Sequence, residues 1–314
     1  MQTLRLDPDS NGLRRAADLL AQGACVAIPT ETVYGLAANA RNGKAVAGIY
    51  QAKGRPDFNP LIVHVPDLNA ARSLATFSDE ALLLAQNFWP GPLTLVLPLR
   101  TDAGISRLVT AGLDTVGLRV PAHAVARKIL SLTGLPLAAP SANISGLISP
   151  TTADHVLDPE TGLGGRIAAV LDAGACPVGV ESTIIGWSEN KPVMLRPGGI
   201  AAEQIETLLG QSLARAQDNP ATPNAPGQLS SHYAPRAPLR LNADPRPGET
   251  HLAFGRPGPL TLSATGDLTE AAARLFDLLR RADAYGLPIS VAPIPDHGLG
   301  AAINDRLRRA AAPR

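Results

Sequence analysis

Residues 25–35 read Cys-Val-Ala-Ile-Pro-Thr-Glu-Thr-Val-Tyr-Gly, an apolar run that stops at a proline and passes into hydroxyl-bearing side chains. The run predicts a buried strand, and the apolar spacing of residues 10–22, closed by Gly23, predicts a helix before it. Further strands are predicted at 61–65, 94–97, 115–120, 137–139, 169–171 and 183–185, with helical segments between them. Interleaved strands and helices predict an α/β domain on a mixed sheet, whose strand order the sequence leaves undetermined.

A second, smaller α/β unit is predicted at the carboxyl end. Residues 211–236 hold repeated prolines with little apolar periodicity, which indicates a linker after a first domain of residues 1–210. Within residues 237–314, strands are predicted at 239–241, 251–254, 260–262 and 289–292, and helices at 269–285 and 301–312. A chain of 314 residues is long enough for two such domains.

Composition excludes several classes of protein. Apolar residues make up 45% of the chain and charged residues 18%, so the chain can bury a core. The formal charge is +1, from 28 basic and 27 acidic residues, which argues against a polybasic nucleic-acid coat or an acidic tail protein. Two cysteines, Cys25 and Cys176, exclude a disulfide framework. Because no signal peptide or membrane-spanning run is evident, we expect a cytoplasmic protein with no membrane partner.

Three polar clusters adjoin predicted strands, where α/β proteins place their ligands. The first is residues 29–35, quoted above. The second, Lys53-Gly-Arg-Pro-Asp-Phe-Asn-Pro60, offers two cations in a shaped loop and suits a phosphate or carboxylate. The third, Pro140-Ser-Ala-Asn143 with Ser149, offers short donors for a triphosphate. An ordinary turn, a solvated Lys–Arg pair and simple helix capping are the respective alternatives.

Four further candidates lie farther along the chain: Thr115, Arg119, the segment Glu181-Ser-Thr-Ile184 and the segment Arg196-Pro-Gly-Gly199. The sequence contains no P-loop, no Gly-x-Ser-x-Gly nucleophile elbow, and no histidine or cysteine pair with metal-ligand spacing. Any anion binding must therefore come from local placement of cations and hydroxyls.

Taken together, these segments resemble the threonylcarbamoyl-AMP synthase family, in the long form that adds a carboxyl-terminal domain to a YrdC-type domain. The resemblance covers essentially the whole chain and depends on the order and spacing of its segments. These are Ile28-Pro-Thr-Glu-Thr-Val-Tyr-Gly-Leu36, Lys53-Gly-Arg-Pro56, Asn59-Pro-Leu-Ile-Val-His64, Trp89-Pro-Gly-Pro-Leu-Thr94, Gly117-Leu-Arg-Val-Pro121, Pro140-Ser-Ala-Asn143, Glu181-Ser-Thr-Ile184, Leu195-Arg-Pro-Gly198 and Ser231-His-Tyr-Ala-Pro235. The resemblance implies a YrdC-like twisted mixed open sheet with helices, followed by a smaller Rossmann-like α/β domain.

The resemblance also implies a reaction. L-threonine, bicarbonate or CO2, and ATP would give threonylcarbamoyl-AMP and pyrophosphate, with Mg²⁺ carried by the ATP phosphates and no organic cofactor. The product would pass to the machinery that modifies the adenosine beside the anticodon of tRNA. Neither a protein nucleophile nor a protein metal ligand is needed, which agrees with clusters rich in Lys, Arg, Ser, Thr and Asn.

The family's site residues carry over motif by motif, and we expect them to surround one cavity. The catalytic group would be Lys53, Arg55, Ser141 and Asn143. L-threonine would be held by Thr32, His64, Arg119, Ala139 and Ser182, with Arg119 on its carboxylate. ATP would be held by Arg55, Asn59, Thr115, Ser141, Ser149, Arg196 and Tyr233. Because Tyr233 lies in the linker, we expect residues 211–236 to form a lid that excludes water, with a disordered tether as the alternative for most of residues 211–228.

Two other functions stay open. One is a related carbamoyl-adenylate-forming activity, as in hydrogenase-maturation proteins, although those carry acylphosphatase and zinc-finger segments that this sequence lacks. The other is a non-catalytic module with weak RNA binding, against which the near-neutral charge and the absence of stacking-aromatic motifs argue. The linker departs from the family once, since Gln228-Leu-Ser-Ser231 stands where a Met-Lys pair is frequent.

Overall fold

The structure, a computed structural model, describes residues 2–56, 59–215 and 231–313. Its strands are β1 (Leu4–Leu6), β2 (Val26–Ile28), β3 (Gly35–Asn39), β4 (Ile62–His64), β5 (Leu93–Pro98), β6 (Thr115–Arg119), β7 (Leu137–Ala138), β8 (Ala169–Leu171), β9 (Thr183–Ser188), β10 (Lys191–Arg196), β11 (Ala214–Arg215), β12 (Leu239–Arg240), β13 (Thr250–Leu252) and β14 (Ile289–Val291). Its helices are α1 (Ser10–Ala21), α2 (Gly43–Lys53), α3 (Leu68–Arg72), α4 (Asp79–Phe88), α5 (Arg107–Thr110), α6 (Ala124–Thr133), α7 (Ala153–Leu157), α8 (Ala202–Leu209), α9 (Leu268–Asp283) and α10 (Leu299–Ala310). None of these helices combines the length and the apolar character that crossing a membrane requires.

Eleven of the described strands form one large sheet, in the order β1-β8-β2-β3-β7-β4-β6-β5-β9-β10-β11. The pairing is mixed: β3 is antiparallel to β2 and β7, and β4 is antiparallel to β7 but parallel to β6. The predicted mixed α/β sheet is therefore confirmed. The long order of neighbours, in which β1 pairs with β8 and β5 with β9, follows from contacts that are remote in sequence.

Apolar side chains cover both faces of this sheet. Val26 and Ile28 pack with α1 and α6 in one buried cluster, whereas Ala27 between them belongs to a second cluster with α2 and α4. This alternation is what a strand buried on both faces requires, because successive side chains point to opposite sides.

The carboxyl-terminal unit is a three-stranded parallel sheet, β12-β14-β13, which packs with α9 and α10 and confirms the predicted small α/β domain. Its core cluster also contains Val33, Ile148 and Val180 from the larger unit, so apolar packing is continuous between the two. The strand predicted at 260–262 was wrong: only an isolated bridge joins Ala253 to Thr261. The preceding Pro257-Gly-Pro259 offers no continuous run of donors for a sheet ladder.

The linker between the units is only partly described. β11 pairs in parallel with β10, so the large sheet continues past residue 210, and the small sheet begins at Leu239. Residues 216–230, which include most of the predicted lid and Gln228, lie outside the described residues. The domain limits at 210 and 236 stay predictions.

Candidate active site

The candidate site is a cavity above the middle of the large sheet. Gly35 of β3, Ile62 and His64 of β4, Arg119 of β6 and Ala139 just after β7 line it. Residues two apart in a strand face the same side, and the parallel register places Arg119 beside His64. The sequence indicated a site beside strand ends. The cavity also lies over one face of the sheet.

Loops complete the walls and roof. Thr30 and Thr32 come from the segment after β2, Ser141 follows β7, and Ser182 precedes β9. His232 and Tyr233 form part of the lining from the far end of the linker. The backbone N–H of Ala234 donates to the carbonyl of Gly146 at 2.9 Å, which ties this end of the linker to the large unit.

The five residues predicted to hold L-threonine all line the cavity. Arg119 is fixed from three sides: it donates to Thr32 Oγ1 at 3.0 Å and to the carbonyl of Gly91 at 3.3 Å, and it pairs with Glu31 Oε1 at 2.7 Å. Burial acts to raise the pKa of Glu31, but the charge of Arg119, its hydrogen bond and the backbone hydrogen bonds together outweigh burial and hold that pKa below its usual value. A guanidinium held in this way suits a carboxylate ligand.

Polar side chains on the other side of the cavity are also held by hydrogen bonds. Ser182 Oγ lies 2.7 Å from Thr94 Oγ1, and Arg196 Nη2 donates to the Ser182 carbonyl at 2.9 Å. Burial, followed by the charge of Arg119, lowers the pKa of His64 to about 3, so this imidazole is neutral at physiological pH. Its Nδ1 has no hydrogen-bond partner among the described residues and so offers a polar contact to a ligand.

The predicted catalytic group is contiguous, although only part of it lines the cavity. Lys53 Nζ donates to the carbonyls of Ser141 at 2.5 Å and Asn143 at 2.6 Å. Arg55 and Ser141 line the cavity, while Lys53 and Asn143 are buried next to Ser141 and do not line it. Burial, and secondarily the charge of Arg55, lowers the pKa of Lys53 well below its usual value.

Most of the residues predicted to hold ATP converge on the same place. Arg55, Ser141, Arg196 and Tyr233 line the cavity. Ser149 donates to Glu181 Oε1 at 2.6 Å, and Arg55 donates to the carbonyl of Asn59 at 3.4 Å.

Three of the predicted ATP residues, Asn59, Ser149 and Thr115, do not line the cavity, and of these Thr115 lines a different hollow. It lies at the opposite end of β6 from Arg119 and lines a separate depression with Pro60 and Gly117. Ile62 lines both hollows, so the two adjoin along one strand.

Buried positive charge dominates this region. Lys53, Arg55 and Arg196 are 1%, 9% and 5% exposed, and burial is the largest cause of a lowered pKa in each. Taking cations out of water without full compensation costs free energy, which an anionic ligand recovers. The arrangement can therefore bind a polyanion and stabilise charge that develops on its oxygens.

Sequence reasoning missed several side chains at the site. Glu31, Thr30 and His232 stand inside the quoted motifs but carried no assigned role. Arg306 of α10 donates to Glu181 Oε2 at 3.0 Å, although it comes from the small unit. One pattern could have found it: Arg306 lies three residues after Ile303 and four before Ala310, on the apolar face of its helix.

Comparisons with known proteins agree with this geometry. The sequence profile of the family described as telomere recombination, Sua5/YciO/YrdC, matches residues 18–198. The profile described as the threonylcarbamoyl-AMP synthase C-terminal domain matches residues 200–312. The threonylcarbamoyl-AMP synthase of Bacillus subtilis is 42% identical, covering 99% of this chain and 96% of the relative. That of Pyrococcus abyssi is also 42% identical, covering 95% of this chain and 93% of its own.

Solved structures add a match in three dimensions. The crystal structure of P. abyssi Sua5 complexed with L-threonine aligns with a TM-score of 0.89 at 38% identity, covering 99% of this chain and 98% of the other. Full-length HypF in a phosphate- and nucleotide-bound form aligns with a TM-score of 0.53 at 22% identity, over 60% of this chain and 29% of HypF. At that identity the second likeness concerns the fold alone.

Proposed function

This chain belongs to the threonylcarbamoyl-AMP synthase family, and from that premise we propose that its cavity joins L-threonine, bicarbonate or CO2, and ATP into threonylcarbamoyl-AMP and pyrophosphate. The observation that carries the proposal is the convergence of two chemically distinct groups on one cavity. One is the fixed guanidinium of Arg119 beside neutral His64. The other is the pair of cations Arg55 and Arg196, with Lys53 bonded to the carbonyl of the lining residue Ser141.

The first group suits an amino acid. Arg119 would receive the carboxylate of L-threonine, with Thr32, His64, Ser182 and the backbone at Ala139 around the rest of the molecule. The crystal structure of the P. abyssi relative complexed with L-threonine supports this use of the cavity. The threonine amine would then add to bicarbonate and release water, giving a carbamate. Holding the reactants side by side replaces an unfavourable encounter in solution.

The second group suits the triphosphate. A carbamate oxygen would attack the α-phosphorus, the bond from that phosphorus to the oxygen that bridges it to the β-phosphorus would break, and pyrophosphate would leave with that oxygen. Lys53, Arg55, Arg196, Ser141 and Asn143 would stabilise the charge on the non-bridging oxygens during transfer. Ser149, Asn59 and Tyr233 would hold the remainder of ATP, whereas Thr115 lines the separate depression and is given no contact with ATP. No step requires a protein nucleophile.

We propose that Mg²⁺ enters on the ATP phosphates. Among the described residues, no group of three or more His, Cys, Asp or Glu side chains could hold a metal ion. Mg²⁺ usually reaches nucleotide sites already bound to phosphate oxygens, so a site without a carboxylate cluster can still receive it. Mg²⁺ would neutralise charge on the leaving pyrophosphate.

We also propose that the product passes to a tRNA-modifying transferase in the cytoplasm. A mixed anhydride of a carbamate and AMP is prone to hydrolysis, so a partner that consumes it promptly is expected. The formal charge of +1 gives no reason to assign strong RNA binding to this chain itself.

The proposal is tested by pyrophosphate release from ATP and Mg²⁺, with and without L-threonine and bicarbonate, and by mass detection of threonylcarbamoyl-AMP. We expect release only with all substrates present. Lys53→Met should abolish it, whereas Lys44→Met, an exposed lysine on the same helix α2, should not. Retention of tRNA without threonine-dependent release would instead favour an RNA-binding module.

A further inference from the structure

The small carboxyl-terminal unit contributes a buried arginine to the region of the site. Arg306 of α10 is only 1% exposed, although charged side chains are seldom fully buried. Its Nε donates to Glu181 Oε2 at 3.0 Å, and its Nη1 donates to the carbonyl of Pro197 and to Asp305 Oδ2. The contacts with Glu181 and Pro197 cross from the small unit to the large one, whereas Asp305 belongs to α10 itself.

Glu181 connects Arg306 to Ser149, a residue predicted to bind ATP. Its second oxygen, Oε1, accepts the hydroxyl of Ser149 at 2.6 Å. Burial acts to raise the pKa of Glu181, but the charges of Arg306 and Arg196, together with the hydrogen bonds from Ser149 and the backbone, outweigh burial and hold that pKa below its usual value. Without Arg306, a buried carboxylate would lose a charge-assisted hydrogen bond and turn towards other donors.

Arg306 also contacts a second residue predicted to bind ATP. Its guanidinium carbon lies 5.6 Å from the centre of the Tyr233 ring, and Phe276 of α9 stacks on that ring with centroids 5.4 Å apart. Tyr233 has a backbone φ of 61°, a left-handed conformation that a bulky residue keeps only when its surroundings hold it there. The neighbouring backbone N–H of His232 donates to the carbonyl of Arg309 on α10 at 3.2 Å.

From these contacts we infer that Arg306 is a positioning residue for ATP, through which the carboxyl-terminal unit orients Ser149, by way of Glu181, and the Tyr233 ring. This inference rests on the proposed function for the identity of the nucleotide. It gives the small unit a part in the ATP site of the large one. The threonine contacts of Arg119 and Thr32 share no hydrogen bond with Arg306, so the effect should be selective.

The test uses the full chain and three variants. Arg306→Met removes the charge but keeps most of the volume, Arg306→Lys keeps the charge without the planar fork, and Arg308→Met alters an exposed arginine on the same helix. We expect Arg306→Met to raise KM for ATP by about tenfold or more, with KM for L-threonine changed by less than about threefold, since the charge-assisted hydrogen bond to Glu181, which leads to Ser149, is lost. Arg306→Lys should be intermediate and Arg308→Met should match the wild type.

Equal rises in both KM values, or no change for ATP, would overturn the inference. If Arg306→Met fails to fold by circular dichroism, Glu181→Gln, which is nearly the same size, should show the same ATP-selective rise; an unchanged KM for ATP in it would likewise refute the idea. Calorimetric binding of ATP with Mg²⁺ provides a readout that needs no turnover. Absent pyrophosphate release by the wild type refutes the proposed function, whereas ATP bound equally by wild type and Arg306→Met refutes the role of Arg306.

Discussion

Arg119 and Glu31 form a buried ion pair, so removing one side chain leaves the other as a buried charge without its partner. Arg119 is 4% exposed and Glu31 7%, and their atoms approach to 2.7 Å. Replacing Arg119 alone would leave a buried carboxylate without its counter-ion, which typically costs about 3–5 kcal/mol of stability. A loss of activity in Arg119→Ala would therefore mix unfolding with weaker substrate binding.

The double variant Glu31→Gln/Arg119→Met separates these effects, with Glu31→Gln alone as its control. We expect the double variant to raise KM for L-threonine by about ten- to hundredfold relative to that control, because the charge-assisted contact to the carboxylate is lost. KM for ATP should change far less. Initial rates of pyrophosphate release, with each substrate varied separately, measure the two constants. Equal changes in both would refute the assignment of Arg119 to the threonine carboxylate.

Individual residues of the site could be predicted where a motif was dense. Thr32, Arg55, Ser141 and Arg196 all line the cavity, and each was assigned because its motif resembles one of the family's. Arg306 could not be found in the same way, since its partner Glu181 is 125 positions away and no local pattern joins them. The roles assigned to all of these side chains stay predictions until substrate kinetics are measured.

The turn after β10 depends on a glycine. A Cβ on Gly198 would lie 2.3 Å from the backbone of Ser182 and of Thr183, closer than real Cβ atoms approach. Gly198→Ala must therefore push the turn that follows Arg196 away from the start of β9. We expect a loss of about 1–3 kcal/mol in the free energy of unfolding, as for other overpacked positions, and lower activity. Urea unfolding measures the first and pyrophosphate release the second.

Gly258→Ala is the matched control for that substitution. The nearest atom to a Cβ there is Ala253 Cβ at 3.6 Å, an ordinary contact. Its stability and activity should equal those of the wild type. If Gly198→Ala and Gly258→Ala had equal free energies of unfolding, the turn at Gly198 would be able to shift and accept a Cβ without cost.

Tyr233, near the end of the linker, allows the predicted lid to be tested. If residues 211–236 act as a lid, Tyr233→Ala should weaken binding of ATP, because the ring held between Phe276 and Arg306 is lost. Tyr233→Phe keeps the stacked ring and should bind ATP more nearly like the wild type. Equilibrium calorimetry with ATP and Mg²⁺ distinguishes them. Unchanged affinity in Tyr233→Ala would leave the linker a tether.

Local patterns predicted most elements but missed some. α1, β2, β8 and β14 formed where apolar spacing placed them. β3 was missed because Gly35-Leu-Ala-Ala-Asn39 is rich in small residues with weak strand preference, and its conformation is imposed by pairing with β2 and β7. β10 was missed because its Pro192 reads as a break in a strand.

For the molecule as a whole, the sequence predicted two units but not how closely they pack against each other. The apolar cluster of the small unit continues into Val33, Ile148 and Val180, and α10 reaches Glu181. Pairings remote in sequence, such as Leu4 with Ala169 in the large sheet and Arg306 with Glu181 between the units, are not encoded in local periodicity. The small unit is therefore expected to unfold together with the large one.

Stability of the whole chain should fall in mild acid because two histidines are buried without charge. Burial is the main cause that lowers the pKa of both His64 and His232 to about 3, from an ordinary value of 6.5. Below pH 6.5 the unfolded chain binds a proton at each position while the folded chain does not, so acid favours unfolding. The stabilisation is full above pH 6.5 and is lost progressively as the pH falls towards 3.

Between pH 7 and 5 the two groups together should remove about 3–4 kcal/mol from the free energy of unfolding, before most carboxylates titrate. Smaller downward shifts of the pKa of His123 and His251 act in the same direction. Urea unfolding at a series of pH values measures the slope. The double variant His64→Gln/His232→Gln should have a flatter slope than the wild type, whatever its absolute stability. An equally steep slope in both would mean that these imidazoles are protonated in the folded protein, and would remove the neutral His64 on which the proposed threonine contacts depend.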